Sequence, residues 1–108
     1  MRLKHAVPVV AIMLAAGCAH HGVTRVVNGV QITEEKKGFW DRATLGPDSA
    51  IKIALARVPG GTITEAELEE EDGRLIYSFD IKVAGKSGKE EVEVDARTGA
   101  VLKQEHEG

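Results

Sequence analysis

The chain is short of the residues on which most site chemistry depends. It has one cysteine, Cys18, in 108 residues, which excludes an internal disulfide framework and a cysteine-ligated structural zinc. Its four histidines, His5, His20, His21 and His106, lie toward the two ends. Two adjacent histidines are not a spaced ligand set, so no metal site and no cofactor is expected. With 14 Lys+Arg against 17 Asp+Glu the net charge is −3, and a general nucleic-acid binder with a basic face is excluded. Only four aromatics, Phe39, Trp40, Tyr77 and Phe79, are available to fill a core. No hydrophobic run reaches the ~20 residues of a mature membrane span; Ala6 to Ala16 gives eleven apolar residues, interrupted by Pro8. No phosphate loop is present, because Gly60-Gly61 ends a helical pattern where such a loop would begin one. Ser49, Ser78 and Ser87 have no histidine near them in the expected strand map, and the carboxylates fall on an open sheet face. No catalytic constellation follows, and the chain is read as not an enzyme.

The first residues differ from the rest. Arg2, Lys4 and His5 make a basic start, the apolar stretch follows, and Gly17 and Cys18 close it. That order describes a secretory signal peptide over residues 1–17. Leu14-Ala15-Ala16-Gly17-Cys18 resembles the lipobox of bacterial lipoproteins, although the leucine stands one place further out than usual. The resemblance implies lipidation of Cys18, cleavage before it, and anchoring by more than one acyl chain, which holds a protein stably to a membrane. Loss of Arg2 and Lys4 leaves 12 basic and 17 acidic residues, a net −5, which does not favour docking on anionic lipids. The expected location is the bacterial cell envelope, exported and lipid-anchored on the periplasmic face of a membrane. Ala19 in place of the aspartate that commonly signals inner-membrane retention allows the outer membrane.

Residues 18–46 read as a lipidated tether. Asn28-Gly29 between β-branched runs predicts a short hairpin over residues 24–33, with Val27 opposite Val30 and Arg25 opposite Ile32. An isolated hairpin is marginal in water, so it packs on the main domain, pairs with a partner, or stays loosely formed. Glu34 to Gly38 reads as a polar break. Phe39-Trp40 is an apolar pair that either docks on the domain or stays exposed for a partner.

Residues 47–108 read as a domain of the α+β class, in two layers: one helix packed on a four-stranded antiparallel meander. Pro47, Asp48 and Ser49 start the helix; Ala50, Ile51, Ala54, Leu55 and Val58 form its apolar stripe, with Ile53 beside it; Pro59-Gly60-Gly61 stops it. Strands over 62–71 and 74–83 flank the turn Asp72-Gly73, which sets Glu70 opposite Leu75, Leu68 opposite Tyr77, Ala66 opposite Phe79 and Thr64 opposite Ile81. This register gathers the apolar residues on one face, as the alternation requires. The other face carries Glu65, Glu67 and Glu69 opposite Asp80, Ser78 and Ile76. A third strand over 90–96 turns at Arg97-Thr98-Gly99 into a short fourth, with Leu102 opposite Val94 in the core and Val101 outside near Asp95.

Ala50-x-x-x-Ala54, Ala56-Arg57-Val58-Pro59-Gly60, the run Ala66 to Gly73, Tyr77 and Phe79, and Val92 to Val101 with Asp95-x-x-Thr98-Gly99 resemble the PepSY domain, over about residues 47–105. The resemblance implies the same helix-and-sheet fold and a non-enzymatic role, with inhibition or local regulation of peptidases in the cell envelope. It offers no catalytic residue to carry over. Two functional classes follow. One is a tethered protein-interaction module, its partner a protein such as a peptidase, docking on a strand edge or the acidic face. The other is a structural or sensory envelope lipoprotein that binds a small ligand or cation.

Overall fold

A computed structural model describes residues 22–108. Cys18, His20 and His21, and the leader over 1–17, lie outside them. Eight elements follow along the chain: β1 (Thr24–Val27), β2 (Val30–Glu34), α1 (Phe39–Arg42), α2 (Pro47–Arg57), β3 (Gly61–Glu71), β4 (Arg74–Val83), β5 (Lys89–Asp95) and β6 (Val101–Glu107). The class is α+β, as expected, but among the described residues the sheet has six strands in chain order and there are two short helices.

The two extra strands are the Asn28-Gly29 hairpin. It forms with the expected register, Val27 against Val30 and Arg25 against Ile32. Asn28 and Gly29 take positive φ of 51° and 78°, as do Asp72 and Gly73 at 52° and 76°, the conformation that a two-residue turn between twisted strands demands. Strand β2 then runs parallel to β3, Thr33 beside Glu67 and Glu34 beside Leu68. A parallel neighbour needs a long crossover, and α1 with α2 supplies it. Short-range turn cues carry no information about a pairing made across such a connection, so the four-stranded count was two strands short.

The core lies between the helices and the inner face of the sheet. Ala50, Ile51 and Ala54 of α2, with Val58 just past its end, pack with Leu68, Tyr77, Phe79, Ile81, Val92 and Val94 in one core cluster. Phe39 and Trp40 are buried against the same cluster, which resolves their two alternatives in favour of docking. Trp40, Tyr77 and Phe79 form one aromatic series, with ring centroids 6.3 and 6.2 Å apart. The Tyr77 hydroxyl donates to the Leu45 carbonyl at 2.7 Å and so ties the entry of α2 to the sheet. Burial pushes that phenol up to about 12.

Two register details differ from the alternation read in the sequence. A bulge at Thr64 sets Ile63, not Thr64, opposite Ile81, so the apolar residue meets the apolar residue. A second irregularity between Glu93 and Val94 sets Val101 opposite Val94. Val101 therefore packs against the core, and Leu102 turns outward and is 38% exposed. Strand β6 also continues to Glu107, longer than its polar tail suggested.

The segment between β2 and α2 is held by one buried carboxylate. Glu34 is 2% exposed. It accepts the Val23 N–H at 2.8 Å on one oxygen and the Trp40 N–H at 3.0 Å on the other. The Trp40 indole N–H donates in turn to the Val23 carbonyl at 2.8 Å. Burial by itself would raise the Glu34 pKa, but the N–H groups of Val23, Trp40, Phe39 and Gly38 outweigh it and hold the carboxyl below its usual value. Asp95 behaves alike: burial opposes ionisation, and the Arg97 and Thr98 N–H groups at 2.7 and 3.0 Å prevail.

Two outcomes follow. Phe79→Ala removes a fully buried ring and should cost about 3–5 kcal/mol in a denaturant or thermal melt; an unchanged melt would refute the core assignment. Because the folded pKa of Glu34 is depressed, its contribution is present above the usual 4.5 and lost as pH falls through the lower folded value. Glu34→Gln should therefore cost about 1.5–3 kcal/mol at pH 7, and the variant should lose less stability than the parent when acidified below that value.

Candidate functional site

The two faces of the sheet differ in charge. The outer face carries Glu65, Glu67, Glu69 and Glu71 from β3, Asp80 from β4, Glu91, Glu93 and Asp95 from β5, and Glu105 and Glu107 from β6. Sheet periodicity puts them there, since alternate residues of each strand point away from the helices. The Glu65–Asp80 like-charge pair read from the sequence is present. Its relief comes from Lys89, whose Nζ lies 2.7 Å from Asp80 and 3.8 Å from Glu107. Lys103 stands among three carboxylates, at 3.1 Å from Glu91, 3.8 Å from Glu105 and 4.0 Å from Glu93. The hydrogen bond to Glu91 is the main cause of the raised Lys103 pKa. Glu91 moves the other way: burial opposes its ionisation, but Lys103 lowers it overall. Glu69 is pushed up to about 7, first by burial and then by the charges of Glu67, Glu71 and Glu35, against the pull of Ser78.

The two edges of the sheet also differ. Strand β6 has one neighbour and is guarded by Lys103, Glu105, His106 and Glu107. Among the described residues strand β1 has one neighbour; it reads Thr-Arg-Val-Val, with Val26 66% exposed and Val23 beside it 56% exposed. The backbone of Val27 turns toward β2 at the hairpin and the Val23 carbonyl accepts the Glu34 N–H at 3.1 Å. In the alternating antiparallel pattern the N–H and C=O of Thr24 and Val26 then face away from the sheet. The edge is also fixed in place: Arg25 lies 4.5 Å over the Trp40 ring, and Glu34 pins Val23.

Among the described residues His106 pairs with Glu90. Ser87, expected to stand away from any histidine, lines one hollow of about 330 Å³ together with His106 and Glu90, because β6 runs further along β5 than expected. No hydrogen bond joins Ser87 to His106, and the imidazole is 57% exposed. Ser49 and Ser78 have no histidine partner among the described residues; Ser78 donates to Glu91 at 3.4 Å. The acidic run 65–72 lies on a strand and turn, as expected. Glu34 is the structural residue that the sequence reading missed, having been placed in a polar break. Its signal was the inward alternation Val30-x-Ile32-x-Glu34, which puts a carboxylate where a core residue would stand.

A model of the family described as peptidase propeptide and YPEB domain, PepSY, matches residues 44–105. The uncharacterized protein YkoJ of Bacillus subtilis (strain 168) is 39% identical over 66 residues, which is 60% of this chain and 37% of that protein. The chain thus spans little more than a third of the length of this curated relative. No solved structure matches the chain.

The outer face gives a direct electrostatic test. Lys103→Gln leaves Glu91, Glu93 and Glu105 without their shared cation, and the melting temperature should fall by a few degrees in dilute buffer. Added sodium chloride should narrow that difference, because salt screens the residual repulsion. A difference that is the same at low and high salt would show that Lys103 acts through packing instead.

Proposed function

The chain belongs to the PepSY family, and on that premise we propose that it is a non-catalytic module that binds and restrains a peptidase at a bacterial cell surface. The observation that carries this reading is the β1 edge, which has one strand neighbour among the described residues. It offers outward N–H and C=O groups at Thr24 and Val26, two exposed valines, and little of the charge that guards β6. Such an edge receives an extended segment of a partner as an added strand, with main-chain hydrogen bonds giving affinity and alternate side chains giving selectivity. Anchoring by Glu34 and Trp40 keeps the edge ordered before binding, which lowers the entropic cost of association. The family description names peptidase propeptides, and that favours a peptidase as the partner. Lipidation of Cys18, with residues 1–17 removed, would hold the module on an envelope membrane next to exported peptidases.

The test combines anchor and edge. Mass measurement of the protein from bacterial membranes should show acyl chains on a mature chain beginning at Cys18, and Cys18→Ala should release it to the soluble fraction. In-cell cross-linking should capture a peptidase, and the purified chain should slow that enzyme. Val26→Pro removes an outward N–H while leaving the β1–β2 ladder bonds intact. It should weaken the inhibition at least about tenfold, the equivalent of ~1.4 kcal/mol, with little change in melting temperature. Full inhibition by Val26→Pro would move the docking surface away from β1, and no effect on any captured peptidase would end the inhibitory reading.

A further inference from the structure

A hollow of about 330 Å³ opens where the C-terminal end of α2 meets the end of β4, the start of β5 and the end of β6. Its lining joins two kinds of surface. Val58, Pro59, Ile81 and Val83 supply apolar atoms, and Arg57 and Lys86 supply positive charge. Lys89 also lines it but is engaged by Asp80 at 2.7 Å, and Glu90 is engaged by His106. Arg57 and Lys86 have no carboxylate partner among the described residues.

Arg57 is nevertheless held in place. Its Nε donates to the Gln104 Oε1 at 3.0 Å, and the Gln104 amide donates back to the Arg57 carbonyl at 3.2 Å. The clamp leaves both terminal amino groups of the guanidinium without a partner among the described residues, and these form the fork that grips a carboxylate. Of the carbonyls at this helix end, Leu55 accepts the Val58 N–H, Val58 accepts the Gly61 N–H and Arg57 accepts the Gln104 amide. Their engagement blunts the negative end of the helix toward an anion. Ser87 and Gly88 of the β4–β5 loop complete the lining. Their N–H groups and the Ser87 hydroxyl donate to no described residue. Gly88 has a φ of 74° and lies so close to β6 that a Cβ there would strike the Glu107 carbonyl, so the loop is seated against the sheet.

We propose that this hollow binds the C-terminal residue of a peptide, its carboxylate on Arg57 and Lys86 and an apolar side chain on Val58, Pro59 and Val83. The volume stands at the lower end for ligand cavities and gives room for roughly one residue. One residue carries both a carboxylate and an apolar side chain only at the end of a chain or as a free amino acid. A free amino acid also brings an ammonium group, and Glu90, the one carboxylate among the described residues that line the hollow, is already taken by His106. An acidic residue in mid-peptide has the charge but not the apolar side chain. Capture of a terminal carboxylate by cations and unused main-chain donors is a recurring mode of peptide recognition. The hollow includes no residue of β1 or β2, so this site and the peptidase reading stand or fall separately.

The experiment titrates the purified chain into a glycine-rich pentapeptide that ends in leucine and carries a fluorophore at its N-terminus, read by fluorescence anisotropy. The free-acid peptide should bind saturably, and the same peptide with an amidated end should bind at least about tenfold more weakly, because charge-assisted contacts are lost. Arg57→Gln and Lys86→Gln should each weaken binding of the free acid about tenfold and leave the amide unchanged. Gln104→Ala, which unclamps the guanidinium without removing it, should weaken binding less than Arg57→Gln. Lys52→Gln, which removes an equal charge elsewhere on α2, should leave binding unchanged. The amide resonances of Ser87 and Gly88 should shift with the free acid and not with the amide. The acid–amide comparison needs no variant, so it holds even if one fails to fold. Equal binding of the two peptides, no saturation by about 1 mM, or free-acid binding retained in both Arg57→Gln and Lys86→Gln would overturn the site. Free leucine competing as well as the peptide would overturn it too, by making the hollow an amino-acid site.

Discussion

The arrangement of this domain depends on where one carboxylate is buried. Glu34 ends β2 on the core side of the sheet and accepts backbone N–H groups from Val23 before β1 and from Trp40 in α1. Without it, the Val23 and Trp40 N–H groups would lose their shared acceptor, and the hairpin would be held less firmly to α1 alongside its short parallel pairing with β3. With it, β1 is ordered, Trp40 is held over Tyr77 with its indole N–H satisfied, and the Leu45 carbonyl is brought to the Tyr77 hydroxyl. A chain with four aromatics thus places three of them in one continuous series in its core. Electrostatics permits this because fixed peptide dipoles replace the water that the carboxylate gave up.

The same physics, unevenly applied, distinguishes the carboxylates of the outer face. Asp95 is buried and has donors in its own turn, so its charged form is favoured. Glu91 is partly buried and has Lys103, with the same result. Glu93 is buried with Lys103 only at 4.0 Å, and Glu69 is desolvated and then crowded by like charges; both are pushed upward. Acidic residues that look alike in the sequence therefore fall into distinct electrostatic classes, decided by which strand lies alongside. The contrast between the sheet edges has a similar origin. β6 ends in charged residues and resists further pairing, whereas β1 is β-branched and backed by a rigid core.

Local features of the fold were legible in the sequence because they rest on neighbours along the chain. Asn28-Gly29 and Asp72-Gly73 specify two-residue turns by their tolerance of positive φ, and each turn sets the register of the strands beside it. The helix over Pro47–Arg57, with its buried Ala50, Ile51 and Ala54, followed from 3.6-residue spacing and a proline at its start. Alternation from Ala66 to Ile81 separated the apolar face from the acidic one. The series of motifs from the helix to the Asp95 turn led to the family that the matched model shows.

What tertiary structure alone decided involves contacts between segments far apart in sequence. The parallel pairing of β2 with β3 spans both helices, and no periodicity encodes it. The bulge at Thr64 and the shift at Val94 exchange one residue for its neighbour, so that Ile63 and Val101 turn inward and Leu102 outward; alternation cannot register a single extra residue when flanking positions are also apolar or neutral. Composition could say that the chain is acidic and short of catalytic residues. It could not say that Glu34 would find main-chain donors while Glu93 would not, because solvation of a buried charge is set by what the fold brings to it from elsewhere in the chain.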